Sequence, residues 1–575
     1  MSLPMASPAR KRLLSIEDIL SLHGFEGYFG PQFDVSPCGS ALAICCQRGL
    51  RDAPVFGVPF LVGGERGELW IVDRDREKPR RIEAPDGIGV FSPRWSADGN
   101  CIALAATDGT RFVRPAIVDV GAATMRILPT ANLALQPAKP PLGWLSSQKI
   151  ACEVLPDGEL PFVLETEWHG DAEQAAHWRA ARDGSRSTIS QIQSGDEMAA
   201  YPAGSPAVIN VDTGEVQCFS HQKDLPKELE CFAGREIVPY PPTLVSGVAG
   251  VSDDSALALD ITDRGDQIFV SRDDDATRVI WLRDGSAETA FETDHHLSDV
   301  QSGAIHRFEV THPELGTAKT SVILPPCAGP DERLPALFWV YPNAQLPAAM
   351  YDKPNGLGPF NLHRFAAMGF AVVRPEVPFD DQIVEQRGAA DVVVEWITAA
   401  ADAVAAAGCI DRERMQVAGH SFGGWATLTL LAKTDLFRSG IAVAGAYDLI
   451  SAHGTFDARS RHRSDPIDGG SLIEKVWHLP GPPWDHLDAY AQNSPLSGVE
   501  SISAPVLLMH GDRDYVPMSQ AEEMFSALRR LGRDVSFARL WGEGHVACNP
   551  ETIREMDRLM EDWLRRHRDE PNVAS

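Results

Sequence analysis

The sequence predicts an all-β, propeller-like region followed by a doubly wound α/β domain with a mostly parallel sheet. Three observations carry that reading. From about Phe33 to Phe308 the chain reads as short alternating strands separated by Gly, Asp and Pro turns. Within that stretch a polar turn followed by an apolar strand recurs at spacings of roughly 50 residues. After about Thr311 the apolar runs become continuous and alternate with helical stretches, as strands of a sheet covered on both faces do.

The 575 residues exceed one ordinary domain. The expected division is a segment 1–30, an irregular or small propeller-like region 31–308 and an α/β domain 309–575. Hydrophobic residues make up 44% and charged residues 23% of the chain, and 52 Lys+Arg against 80 Asp+Glu give a formal charge of −28. Such a surface repels phosphate backbones and anionic lipid, so neither nucleic acid nor membrane is an expected partner. The first residues carry Arg10, Lys11 and Arg12 without the apolar stretch of a signal peptide, and no run of about 18 apolar residues occurs. The expected location is the cytoplasm. Ten cysteines without C-x-x-C or zinc-type spacing fit reduced thiols there, and neither a metal nor another cofactor is expected. His295 and His296, adjacent on a polar stretch, read as a solvated loop.

The elements follow in order. A helix opens the chain, with Ser15 as N-cap and Asp18 three residues on, a capping-box spacing; it is expected to pack on the α/β domain. The recurring unit begins at Asp34-Val-Ser-Pro-Cys-Gly-Ser and returns at Pro93-Arg-Trp-Ser-Ala-Asp-Gly, Gly143-Trp-Leu-Ser-Ser and Val251-Ser-Asp-Asp-Ser. Further strands follow, such as Leu69-Trp-Ile-Val-Asp and Ala207-Val-Ile-Asn. Propeller blades answer to this pattern better than a sandwich does, and the length allows about five or six. Asp171 to Glu197, polar and Ala/Arg-rich, is an excursion from a blade. In the second half, buried strands are expected at Ala336, Phe370, Met415, Ile441, Pro505 and Val535. Helices are expected over Ile383–Ala407, Gly424–Lys433, Ser519–Leu531 and Glu551–Arg566.

The chemistry sits between those elements. Gly419-His420-Ser421-Phe422-Gly423 is a G-x-S-x-G placed between a buried strand and a helix. A tight turn there lifts the Ser421 hydroxyl towards substrate, and the Phe422 N–H can stabilise an oxyanion. A serine nucleophile needs a base and an orienting acid. Asp514 lies past a strand end in His510-Gly-Asp-Arg-Asp-Tyr-Val-Pro, with Asp512 as its rival, and His545 lies in the Gly-rich loop Trp541-Gly-Glu-Gly-His. The order Ser, Asp, His is that of α/β-hydrolases. His420 and His510, one in the nucleophile's own turn and one at a strand end, read as structural.

Gly-His-Ser-Phe-Gly-Gly, His-Gly-Asp-Arg-Asp-Tyr-Val-Pro and Gly-Glu-Gly-His, with Ser321-Val-Ile-Leu-Pro-Pro, resemble the prolyl oligopeptidase family of serine peptidases from about residue 311 onwards. The resemblance, closest to its dipeptidyl and acylaminoacyl peptidases, implies an α/β-hydrolase under a propeller. Ser421, Asp514 and His545 then form the triad, and Tyr341 in Phe338-Trp-Val-Tyr-Pro-Asn supplies the second oxyanion donor. The chain departs from the family in three places. Pro342 and Asn343 follow Tyr341 where a Gly-rich turn is usual; Val516 and Pro517 follow Tyr515 where many relatives carry a substrate-gripping polar or Arg side chain; and five or six blades fall short of seven or eight. Dipeptidyl peptidases of this family hold a substrate's free amine with propeller glutamates, a role the resemblance offers to Glu165 and Glu167, although acids on a strand are more often solvated. Trp425, Trp477, Trp484 and Trp541 flank the catalytic loops as pocket or core residues.

The expected function is hydrolysis of amide bonds in short or compact peptides through an acyl-enzyme, with the repeat region gating access. Two readings keep the machinery and change the substrate: an esterase or amidase acting on a small metabolite, and an isopeptidase opening a cyclised peptide. A propeller that binds a partner beside an inert hydrolase half is the reading from another class.

Overall fold

Alternation along each strand decides how the first half packs. The computed structural model describes residues 11–25, 27, 29–52, 64–76, 78–136, 139–165, 170–185, 187, 189–196, 204–219, 256–261, 266–283, 285–329, 332–344, 353–354, 358–461 and 466–568. Among these, four antiparallel four-stranded sheets precede one eight-stranded sheet. The first sheet holds β1 (Phe33–Val35), β2 (Ala41–Gln47), β3 (Gly67–Asp73) and β4 (Arg80–Ile82). The second holds β5 (Gly89–Trp95), β6 (Cys101–Thr107), β7 (Val113–Asp119) and β8 (Thr124–Ile127). The third holds β9 (Leu142–Ser146), β10 (Lys149–Val154), β11 (Ser205–Asn210) and β12 (Val216–Cys218). The fourth holds β13 (Ala256–Ile261), β14 (Gln267–Arg272), β15 (Thr277–Arg283) and β16 (Ser286–Thr293).

Successive side chains of a strand point to opposite faces, and here each face meets a different sheet. On β2, Leu42, Ile44 and Cys46 join Ile268, Val270, Val279 and Trp281 of the fourth sheet. Ala41, Ala43 and Cys45 join Val90, Ile102, Leu104 and Ala106 of the second. On β6, Ala103 and Ala105 turn the other way, onto Leu142, Ile150 and Cys152 of the third. The sheets therefore stack in the order fourth, first, second, third. The recurring sequence unit is the first hairpin of the first three sheets; in the fourth copy the turn residues 251–255 lie outside the described residues. The polar excursion contains the helix Gly170–Asp183 between β10 and β11.

The larger sheet runs β17 (Ile305–His312), β18 (Gly316–Ile323), β19 (Leu334–Trp339), β20 (Ala371–Pro375), β21 (Ile410–His420), β22 (Gly440–Val443), β23 (Val506–Gly511) and β24 (Val535–Leu540). Its spatial order is β17-β18-β20-β19-β21-β22-β23-β24. The first two strands pair antiparallel and the last six are mutually parallel. Phe338, Val417 and Leu508 face the layer of helices Ala389–Ala406, Phe422–Lys433 and Ser519–Arg530. Leu337, Ala418 and Leu507 face the helices Leu362–Ala367 and Pro550–Arg566. The helix expected over Ile383–Ala407 is two, Asp381–Arg387 and Ala389–Ala406. Gly388, at φ 87°, caps the first and turns the chain into the second, as a left-handed glycine at a helix end does.

The helix Ile16–Leu20 carries the reciprocal Ser15–Asp18 capping box. Glu17 accepts hydrogen bonds from Arg554 on the C-terminal helix. Arg12 donates to Asp299 just past the fourth sheet, and the His23 N–H donates to the buried Asp294. The segment thus ties the end of the fourth sheet to the layer over the large one. His296 is not simply a solvated loop residue, since its Nε2 sits 3.1 Å from the Asp18 carbonyl. Among the described residues no helix is long and apolar enough to cross a membrane.

Candidate active site

The nucleophile turn is shaped by close backbone packing. β21 ends at His420, and Ser421 caps the helix Phe422–Lys433 with φ 59° and ψ −121°. A non-glycine residue there costs about 1–3 kcal/mol and persists only where its surroundings impose it. The imposition is visible. The Ser421 N–H donates to the Val443 carbonyl at the end of β22. A Cβ on Gly423 would lie 2.1 Å from the Val340 carbonyl oxygen, and one on Gly424 would lie 2.5 Å from that of Val443. The turn is wedged between two strand ends, and only glycine fits the wedge. Tyr341 lies two residues past the end of β19, its Cα beside Gly423, and is 38% exposed. The Phe422 N–H is the first of its helix, where amides lack intrahelical acceptors.

The three triad candidates meet. The His545 Nε2 is 2.7 Å from the Ser421 Oγ, and its Nδ1 is 2.8 and 2.9 Å from the two Asp514 oxygens. With Nδ1–H donating to the carboxylate, Nε2 is left to accept the Ser421 proton. Asp514 is buried, and desolvation alone would push its pKa up. The charge interaction with His545 and hydrogen bonds from His510 and His545 outweigh that, holding the carboxyl well below its usual range. Its Oδ1 also accepts the Val516 N–H. Asp512 does a different job: it accepts the Gly542 N–H at 2.7 Å and so fixes the turn before His545.

Further side chains complete the site, among them His420, whose reading as structural agrees with its contact. The His420 Nε2 lies 2.7 Å from the main-chain carbonyl of His545, so the nucleophile's turn clasps the histidine loop. Burial, then the nearby His545, drives the His420 pKa down to about 3; it therefore stays neutral and donates without adding charge. Glu543, buried, accepts the N–H groups of Cys548 and Asn549, and desolvation pushes its pKa up. The Tyr515 ring lies 4.3 Å from the His545 ring, with the Arg459 guanidinium over it at 5.3 Å. An acid inside Gly-Glu-Gly-His and a histidine inside G-x-S-x-G were signals in the sequence. For Arg459, 55 residues from Asp514 in the chain, there was none.

Two expectations are corrected. Trp425 is fully buried, stacked on Phe422 at 4.8 Å with its indole N–H donating to the Asn493 carbonyl. It is packed behind the nucleophile turn, closed off from solvent. Glu165 is not on a strand: it caps the short helix Phe162–Leu164, because Pro161 opens a helical turn there. Glu167 lies outside the described residues. Trp477 packs edge-on against Phe422 and Trp425, whereas Trp484 and Trp541 are 76% and 62% exposed.

A mostly parallel sheet carrying a serine on a strand-to-helix turn, with an acid and a histidine on later strand-end loops, defines the α/β-hydrolase class. Residues 361–570 match the prolyl oligopeptidase family. The C-terminal part of the chain is a prolyl oligopeptidase family domain. A probable glutamyl endopeptidase, chloroplastic, of Arabidopsis thaliana is 29% identical over 265 residues, 43% of this chain and 25% of that protein. The chain thus matches only about a quarter of that relative's length. Likeness of fold extends further. The acylaminoacyl peptidase of Pyrococcus horikoshii superposes with a TM-score of 0.66 at 12% identity, covering 97% of this chain and 98% of the other. The isopeptidase AtxE2 superposes at 0.64 and 14% identity, covering 98% and 97%.

Proposed function

We propose that the protein is a serine peptidase that hydrolyses amide bonds of short or compact peptides through an acyl-enzyme intermediate. The observation that carries this reading is the unbroken chain from the Ser421 Oγ through His545 to Asp514, each link within 2.9 Å. In this reading the Ser421 Oγ attacks the scissile carbonyl while its proton passes to the His545 Nε2. Asp514, buried and ionised, balances the imidazolium and holds its orientation. The Phe422 N–H and the Tyr341 hydroxyl take the oxyanion. His545 then gives its proton to the leaving amine, and water, activated by the same base, releases the acyl group. No metal or organic cofactor has a step.

The four stacked sheets support a propeller as their arrangement: the first and second bury both faces against neighbours, as blades do. We divide the chain into residues 1–30, a propeller 31–308 and a catalytic domain 309–575, the propeller restricting entry. Among the relatives, a probable glutamyl endopeptidase fits peptide substrates. Cytoplasmic placement fits the cysteines, all free among the described residues.

The test is covalent labelling by a fluorophosphonate followed by product analysis on a defined peptide mixture. Wild type should be labelled at Ser421 and cleave short peptides. Ser421→Ala should fold, escape labelling and lose on the order of 10⁶-fold in kcat. A Ser421→Ala variant that cleaves its best peptide at near wild-type rate overturns the assignment.

A further inference from the structure

The catalytic imidazole sits in a run of rings that the triad does not account for. Trp339 on β19 lies 5.2 Å from Phe360, Phe360 lies 5.0 Å from His420, and His420 lies 4.7 Å from His545. Beyond His545 comes Tyr515 at 4.3 Å, and then the Arg459 guanidinium. Arg459 is itself fixed: its Nη2 donates to Asp457 at 2.7 Å and its Nε at 3.0 Å. Tyr515 is the residue after Asp514, and the Asp514 Oδ1 accepts the N–H of Val516, the residue after Tyr515. The same short turn therefore sets the carboxylate under the imidazole Nδ1 and the phenol ring against the imidazole face.

We infer that Tyr515 is a positioning residue for His545, its ring fixing the imidazole plane so that Nε2 faces the Ser421 Oγ, with Arg459 holding the ring in turn. The physical need is clear. Hydrogen bonds at Nδ1 and Nε2 and the Cβ–Cγ bond set the ring's place but leave some tilt about the line between its nitrogens, and contact with the ring face narrows that tilt. His420 grips the loop's main chain and its ring lies 4.7 Å from the same imidazole, so Tyr515 packs on a ring that His420 also touches. Aromatic pairs at such separations are worth about 0.5–1.5 kcal/mol beyond their buried area. A misplacement near 1 Å at a reacting group can cost about 10²-fold in rate.

The inference rests on the triad reading, and the experiment separates the two. Tyr515→Leu, Tyr515→Phe and Arg459→Met are compared with wild type in kcat, KM, fluorophosphonate labelling rate and thermal melting. Tyr515→Leu should lose about 10²-fold in kcat with KM nearly unchanged, and labelling should slow in parallel. Tyr515→Phe, which keeps the ring, should recover most of that loss, and Arg459→Met should fall between them. The acid limb of the kcat profile should move in Tyr515→Leu and not in Tyr515→Phe. Asp514, Ser421 and His420 face the imidazole in both variants, as do His510 beyond Asp514 and Arg459 beyond Tyr515, so only the ring differs. A role in stability alone would lower melting while leaving kcat per folded molecule and the acid limb where they were. Should Tyr515→Leu fail to fold, Arg459→Met carries the test, since Arg459 lies on a separate segment. Labelling of either variant at the wild-type rate with unchanged kcat overturns the inference. Failure of wild type to label would instead overturn the triad reading.

Discussion

Inner strands of the small sheets and of the large one are buried on both faces, yet they constrain sequence in different ways. β2 and β6 are buried on both faces by neighbouring sheets, and any apolar residue of about the right volume can serve there. Around Ser421 the constraint comes from backbone atoms: the Val340 and Val443 carbonyls stand where a side chain on Gly423 or Gly424 would go. Apolar packing fixes a pattern, whereas backbone packing fixes residue identities. That difference accounts for the reach of each resemblance. The family match covers 361–570, which includes Gly423, Gly424 and the three triad candidates. Likeness of fold alone covers nearly the whole chain, at 12% identity.

The sharpest test of the contrast lies in the two aspartates of one loop. Asp514→Asn should lose about 10⁴-fold in kcat, because an amide cannot hold the imidazole in the tautomer that accepts from Ser421. Asp512→Asn keeps an oxygen able to accept the Gly542 N–H and should change kcat far less. Steady-state kinetics of both folded variants decides it, and a larger loss at Asp512 would reverse their roles. Asp514 also makes a statement about pH. Its folded pKa is depressed, so its contribution to stability is complete above the unfolded value of about 3.9 and disappears as pH falls through the lower folded value. The melting difference between wild type and Asp514→Asn should therefore shrink on acidification below about pH 4.

Sequence and structure agree where one segment carries the signal. Ser421, Asp514 and His545 were legible because each sits at a strand end with its own motif, and the second-half strands were legible as continuous apolar runs. What escaped depended on contacts between segments. Tyr515 reads as a loop aromatic until His545 and Arg459 arrive from elsewhere in the chain. Trp425 reads equally as pocket or core until Trp477 and Asn493 close over it. Gly388 did carry a local signal, a glycine inside a helical pattern, and it marks a true break.

The next effect in size belongs to Gly423→Ala. The added methyl would overlap the Val340 carbonyl, and neither strand β19 nor the helix start can give way without moving Tyr341 or the Phe422 N–H. The expected result is a folded protein with kcat lowered by about 10²-fold and a smaller change in KM. Unchanged kinetics would mean that the turn tolerates displacement, which would undo the claim that backbone contacts dictate identity here.

The smallest effect expected is also the one that tests the other half of the comparison. Ile44 on β2 is buried in the layer between the first and fourth sheets, against residues such as Val270 and Trp281. Ile44→Val removes one methylene from that layer and should cost about 0.5–1.5 kcal/mol, read as a shift in chemical denaturation midpoint. The kcat on a short peptide should stay at the wild-type value, because no hydrogen bond of Ser421, His545 or Asp514 involves that layer. If access is gated by the stacked sheets, loosening this layer should raise cleavage of longer peptides before it alters cleavage of short ones, since relative motion of domains is the route for a large substrate. Equal changes for short and long peptides would show that the sheets stabilise the chain without governing entry, and the apolar layer would then be a matter of folding alone.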